Sequence, residues 1–210
     1  MIEMIEASKS FKHQTIFDNV NLTINAGEIV GVVGHNGSGK TVLFKIICGL
    51  MPLTNGLVKV QGQVVGKEID IPQNIGVIIE TPGFLPYLTG YQNLSQLASI
   101  KHTIDKKRIK SVIAEVGLDP EDKKTVGHYS LGMKQRLGIA QAIMEYPEIL
   151  ILDEPFNGLD AEGVVAMRKL ILSLKDKGTT ILLASHHASD IEILCDHVYA
   201  FNHQQLEFIR

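Results

Sequence analysis

The amino-acid sequence predicts an α/β fold built on a mostly parallel sheet. Three observations lead there. The runs Ile29-Val30-Gly31-Val32-Val33, Ile149-Leu150-Ile151-Leu152 and Thr180-Ile181-Leu182-Leu183-Ala184 are unbroken apolar stretches, the pattern of strands buried on both faces. Segments of helical periodicity alternate with them. A glycine-rich loop, Gly34 to Gly39, separates the first run from a helix.

The elements follow in chain order. Thr15 to Ile24 alternates apolar and polar residues and ends at the turn signal Asn25-Ala26-Gly27, so it reads as a strand. After the glycine-rich loop, Leu43, Ile46, Ile47 and Leu50 fall on one helical face, with Pro52 expected to end the helix. Residues 56 to 79 break into short strand-like pieces at glycines. Ile109, Val112, Ile113 and Val116 recur at helical spacing, and Gly117 is the expected stop. Residues 84 to 146 read as a mainly helical sub-lobe. A helix from Val164 to Lys175 separates the second and third apolar runs, and Val198 to Ile209 reads as a closing hairpin. The expectation is one domain spanning 1–210.

Composition narrows the functional classes. The chain has 210 residues, 45% hydrophobic and 20% charged, with a net charge of -3, which gives no electrostatic case for nucleic acid or an anionic membrane surface. Spanning a bilayer takes ~20 apolar residues, and no stretch provides them. The first residues, Met1 to Glu6, lack the basic and apolar regions of a secretory signal. Cys48 and Cys195 are expected to be buried, reduced thiols. His186 and His187 are adjacent and expected to point different ways, which disfavours zinc. The basic cluster Lys106-Lys107-Arg108 with Lys110 has no interleaved aromatic residue and reads as a solvated helix face.

Chemistry concentrates in two motifs. Gly34-His35-Asn36-Gly37-Ser38-Gly39-Lys40-Thr41 fits the G-x-x-x-x-G-K-[ST] phosphate loop and stands between a buried strand and a helix, the context the motif requires. Glycines let backbone N–H groups curl around phosphate oxygens, and the helix N-terminus adds its dipole. Lys40 can reach the β- and γ-phosphates, and the Thr41 hydroxyl can ligate Mg²⁺. The second motif is Asp153-Glu154, two acids at the C-terminal end of an apolar strand, where α/β sheets bind ligands. Asp153 suits Mg²⁺ and Glu154 suits the attacking water.

With these in place the chain resembles the nucleotide-binding domains of ABC transporters over nearly its whole length. Tyr129-Ser130-Leu131-Gly132-Met133-Lys134-Gln135-Arg136 resembles the family signature, usually Leu-Ser-Gly-Gly-Gln; Ser130 and Gly132 match, while Tyr129, Leu131 and Met133 depart. The resemblance implies a P-loop NTPase core joined to a small antiparallel β region and the helical sub-lobe. It implies that Phe11 stacks on adenine, that Asp160 lies in the loop crossing a dimer interface, and that His186 is the switch histidine. Two ATP molecules with Mg²⁺ would be sandwiched in a head-to-tail homodimer or heterodimer, each site taking Ser130 and Gly132 from the other subunit.

Two departures stand out. The family has a second hydroxyl residue where this chain has Val42, so one α-phosphate hydrogen bond is expected to be absent. Glu80 replaces a glutamine expected at the metal and attacking water, and Glu80-Thr81-Pro82-Gly83-Phe84-Leu85 is similar to ATPases of bacterial systems that expel lantibiotics and bacitracin-like peptides. The resemblance thus implies an ATPase on the cytoplasmic face of the membrane, peripheral, with a separate transmembrane permease and no nucleic-acid partner. The alternatives are a soluble ABC ATPase acting on ribosomes or nucleic acid, and a small-molecule kinase, which would not need the Ser130–Gly132 segment.

Overall fold

The computed structural model describes residues 1–12 and 14–210. β1 (Ile2–Phe11) and β2 (Gln14–Ile24) pair antiparallel, and β3 (Ile29–Val33) leads through the glycine-rich loop into α1 (Lys40–Ile47). β4 (Asn55–Val60) and β5 (Gln63–Val64) return to the first pair, giving a four-stranded antiparallel sheet in the order β2-β1-β4-β5. β6 (Ile75–Ile78) is followed by α2 (Gly90–Lys101), α3 (Lys106–Glu115) and α4 (Leu131–Ile143). Then come β7 (Ile149–Asp153), α5 (Ala161–Asp176), β8 (Thr180–Ala184), α6 (Ala188–Leu194) and the hairpin β9 (His197–Asn202) with β10 (Gln205–Phe208). The second sheet has the order β10-β9-β3-β8-β7-β6, parallel throughout except for β10.

The unbroken apolar runs are explained by two cores on opposite faces of this sheet. Leu150 and Leu152 of β7 and Ile181 and Leu183 of β8 enter the core built with α2, α3, α4 and α5. Their neighbours Ile149, Ile151, Leu182 and Ala184 enter the core shared with α1 and the antiparallel sheet. Successive side chains of a strand point to opposite faces, so a strand covered on both sides has no position left for a polar residue until it ends.

Helix ends are set by local chemistry. Thr89 and Gln92 form a reciprocal capping box on α2, and Asp105, Ser130 and Asp160 cap α3, α4 and α5 through their side-chain oxygens. Gly117 stops α3 as expected, in the left-handed conformation at φ 75°. α1 departs from expectation. It ends at Ile47, before Pro52, because Gly49 (φ 75°) closes a Schellman motif: Gly49 N–H donates to Ile46 O at 3.0 Å and Leu50 N–H to Lys45 O at 2.8 Å. Leu50 therefore leaves the helical face and is 60% exposed.

The basic cluster on α3 is likewise not a uniform solvated face. The Arg108 side chain is only 11% exposed; it donates to Met144 O and Ile143 O at 3.1 Å each, satisfying carbonyls at the end of α4. Its guanidinium also stacks on Tyr146, 4.3 Å from the ring centroid. Cys48 is buried and Cys195 half-buried, both are free, and burial pushes both thiols up to about 12.

α4 rests directly on β6 at Gly76, where a Cβ would lie 2.0 Å from the Ala142 carbonyl oxygen. Gly76→Ala should therefore force helix and strand apart and cost about 3 kcal/mol, the upper end of ordinary overpacking. For a chain of this size that is a drop of roughly 6–12 °C in thermal midpoint. Gly83→Ala, where a Cβ meets nothing within 4 Å, should stay close to the parent protein. Equal midpoints for the two variants in a calorimetric scan would show that the α4–β6 approach is slack.

Candidate nucleotide-binding site

The end of β3 turns sharply into the glycine-rich loop. Gly37 (φ 79°) and Gly39 (φ 113°) occupy backbone conformations that side chains resist, and a Cβ on Gly39 would press on Ile16 Cγ2 at 3.0 Å. Lys40 is buried, and its ammonium donates to Gly34 O at 2.7 Å and His35 O at 3.1 Å, so the positive charge is held inside the loop at the start of α1. Ser38 Oγ is buried with no hydrogen-bond partner among the described residues. An orphaned hydroxyl in a loop of this shape is a ready donor for a phosphate oxygen.

Across the sheet, Asp153 is the last residue of β7 and accepts from Thr41 Oγ1 at 2.5 Å. Burial raises its carboxyl above the usual range; the Glu154 and Glu80 charges push the same way, while the Thr41 hydrogen bond and Lys40 oppose them. Glu154 follows in the left-handed region at φ 52°, a strained position for a side chain of its size. Its N–H donates to Ala184 O at 2.9 Å, and its Oε2 meets His186 Nδ1 at 2.7 Å and the His186 N–H at 3.3 Å. Gln135 of α4 donates from Nε2 to Glu154 O at 3.3 Å.

Glu80 lies just beyond β6, also left-handed at φ 61°, and its carboxylate pairs with Lys45 of α1 at 2.6 Å. These groups surround a cavity of about 580 Å³ whose walls include Thr41, Val42, Glu80, Asp153, Glu154 and Gln135. Of the residues singled out in the sequence, Asn36, Gly37, Gly39, Lys40, Thr41, Val42, Glu80, Asp153 and Glu154 line this one space, and His186 reaches it through Glu154. Sequence reasoning gave no role to Lys45, Gln135 or Ile16, which join the cavity's surroundings only by folding.

Other expected residues stand outside the cavity walls. Phe11 is at the end of β1, 42% exposed, with the Lys9 ammonium 4.6 Å from its ring centroid; Ile16 is the apolar residue that lines the cavity from this region. Ser130 caps α4, accepting from Met133 N–H at 3.2 Å. Gly132 sits against the Asn157-Gly158-Leu159 loop, where a Cβ would be 2.7 Å from Gly158 O. Asp160 caps α5 by accepting from Gly163 N–H at 3.0 Å and lies 3.5 Å from Arg136 Nη2. The His186 and His187 rings do not point apart as expected: their centroids are 4.0 Å apart at a 42° tilt, just ahead of α6, whose N-cap is His187.

Known proteins resemble this chain over nearly its whole length. A model of the ABC transporter family matches residues 17–157. The chain is 42% identical over 207 residues to the uncharacterized ABC transporter ATP-binding protein YybJ of Bacillus subtilis, covering 99% of this chain and 95% of that protein. It is 44% identical over 200 residues to the bacitracin transport ATP-binding protein BcrA of Bacillus licheniformis, covering 94% of this chain but only 65% of that longer relative. It is 38% identical over 198 residues to the lantibiotic transport ATP-binding protein SrtF of Streptococcus pyogenes, covering 94% of this chain and 85% of that protein. Among solved structures, the dimeric ABC transporter cassette MJ0796 superposes with a TM-score of 0.88 over 99% of this chain and 97% of its own, at 22% identity, which establishes the fold. An ATP-binding subunit of an ABC transporter superposes with a TM-score of 0.87 over 98% of this chain and 88% of its own, at 29% identity. The chain therefore belongs to the ABC transporter family, as one of its ATP-binding and ATP-hydrolysing subunits.

Proposed function

We propose that the chain hydrolyses MgATP in this cavity to power export of a membrane-active antimicrobial peptide through a separate membrane-spanning permease. The observation that carries the chemistry is the convergence of Lys40, Thr41, Asp153 and Glu154 on one space. The cargo rests on the bacitracin and lantibiotic transport relatives and on Glu80. Transport relatives weigh against the ribosome or nucleic-acid alternative. No helix is long and apolar enough to cross a membrane among the described residues, so association with the cytoplasmic face would be peripheral, through the permease.

Each residue has a stated task. Lys40, the loop amides and Ser38 bind the phosphates. Thr41 and Asp153, with Glu80, would hold Mg²⁺. Their hydroxyl and carboxylate oxygens are the hard donors this ion prefers, and the Asp153 carboxyl, raised first by burial and then by the Glu154 and Glu80 charges, is one that a nearby cation would help to ionise. When bound, the ion neutralises charge on the phosphates. Glu154 orients the attacking water, and His186 fixes the carboxylate through Oε2. Lys45 offsets the extra charge that Glu80 introduces. Phe11 offers an exposed ring for the base.

Ser130 and Gly132 stand at the start of α4 yet do not line their own chain's cavity. They are proposed to face the phosphates of a second ATPase subunit, identical or not, with the Asp160 loop at the same interface. The Ser130 oxygen and the free amides of the α4 N-terminus suit an anion there.

Lys40→Ala should abolish nucleotide binding measured by titration calorimetry. Glu154→Gln should still bind MgATP but hydrolyse it about 10²–10⁴-fold more slowly, the usual worth of a positioned base. That variant should dimerise on adding MgATP. Light scattering that shows only monomer would refute the shared site, and near-normal turnover would remove Glu154 from its task.

The cargo is tested in cells. Expressed with its membrane partners in a sensitive strain, the intact protein should raise resistance to bacitracin or a lantibiotic, and Glu80→Ala should lower that protection. Unchanged sensitivity with the intact system would sink the peptide assignment. Equal protection from both versions would separate Glu80 from coupling.

A further inference from the structure

We propose that Ser185, Asp190 and Arg168 form a buried clamp that positions His186 against Glu154 and fastens the histidine's loop to α5. The clamp's effect on turnover rests on the roles given above to His186 and Glu154; its geometry does not.

Asp190 lies in the first turn of α6 and is 1% exposed. A carboxylate so buried must have every lone pair engaged, and here both oxygens are. Oδ1 accepts from Arg168 Nε at 2.9 Å and from Arg168 Nη2, a fork of donors reaching down from α5. Oδ2 accepts from Ser185 Oγ at 2.6 Å. Ser185, itself buried, in turn accepts from the His187 N–H at 3.2 Å.

The residues before and after His186 are thus tied to one carboxylate, leaving the loop little freedom to rotate. The same loop delivers both the His186 ring and its N–H to Glu154 Oε2. Two hydrogen bonds to one carboxylate oxygen require the ring and the backbone to be placed together, and nothing within the half-exposed imidazole can do that. The placement comes from behind. Arg168 adds a second consequence. It stands on α5, whose N-terminus is capped by Asp160 in the loop proposed to meet the other subunit. A shift of α5 along its axis would therefore move Asp190 and, with it, the histidine. Ser185, Asp190 and Arg168 are positioning residues: none reaches the cavity walls.

Ser185→Ala removes the side-chain link between the Asp190 carboxylate and the loop while leaving the Arg168–Asp190 pair and the Asp190 N–H to His187 O hydrogen bond intact. Turnover should fall roughly ten- to a hundred-fold, the scale expected when a catalytic group is misplaced by a fraction of an ångström to an ångström. The KM for ATP should stay within about two-fold. Histidine-selective NMR supplies the readout that a purely structural role would not move. The imidazole signals of His186 and His187, identified by His186→Ala and His187→Ala, should shift or broaden in Ser185→Ala while the chain's other histidines keep their positions. Asp190→Asn, which retains an acceptor for Ser185 but weakens the hold of Arg168, should shift the same two signals. Ser185→Thr, which keeps the hydroxyl, should restore the parent positions.

An unmoved His186 signal in both Ser185→Ala and Asp190→Asn would overturn the clamp, as would a general shift of all histidines with a fall in melting temperature. If His186→Ala itself left turnover unchanged, the catalytic assignment of His186 would fail, while the NMR shifts would still decide the clamp.

Discussion

The site depends on one register. β7 and β8 run parallel with Asp153 opposite Ala184, and the Glu154 N–H continues the ladder to Ala184 O at 2.9 Å. Both strands are apolar to their last turn because both faces are covered, so the first polar side chains each can carry emerge at the same edge of the sheet. Glu154 and His186, 32 residues apart, meet for that reason. Slipping the pairing by one residue would turn the alternating side chains of β7 into the wrong cores and carry Asp153 away from Thr41. The core that makes the sheet stable and the constellation that makes it reactive are consequences of the same pairing.

Electrostatics then works against a concentration of like charge. Glu80, Asp153 and Glu154 line one cavity, and burial with mutual repulsion raises the Asp153 carboxyl. Lys40 and Lys45 answer from α1, one held inside the loop by carbonyl oxygens and one drawn to Glu80. The two cations differ in worth. Lys40 is buried, where charge–charge interactions are weakly screened, whereas Lys45 and Glu80 are open enough to water that their pairing contributes little to stability and matters through where it holds the carboxylate. Strain is stored in the same places: Glu80 and Glu154 are both left-handed, and each is kept there by partners on another element.

Much of this was legible in the sequence, for physical reasons. Apolar runs announce two-faced strands, and the spacing from Gly34 to Thr41 can do little besides cradle phosphate, so the phosphate loop, Asp153 and Glu154 could be placed from residue type and order. What escaped was set by contacts distant in sequence or by short backbone devices. No periodicity pairs Lys45 with Glu80, or sends Arg108 to the carbonyls of α4. The end of α1 was misplaced because Pro52 looked the stronger breaker, whereas Gly49 had already reversed the chain. The two adjacent histidines were expected to point different ways, but their rings lie together just ahead of α6. Gln135 was visible within the signature-like segment, yet its hold on the Glu154 carbonyl needs α4 to be docked on the sheet.

The central sheet also stops in a particular way. Its outer strands, β6 and β10, are four residues each, and β10 carries Glu207. An exposed strand edge is a template on which other chains can add, and short, charged edges offer few free backbone groups for such growth. Contacts between copies are thereby left to side chains and loops, which can close and part again, instead of to strand pairing, which tends to propagate. A subunit proposed to meet a partner anew in every cycle is, by this feature, less open to strand addition.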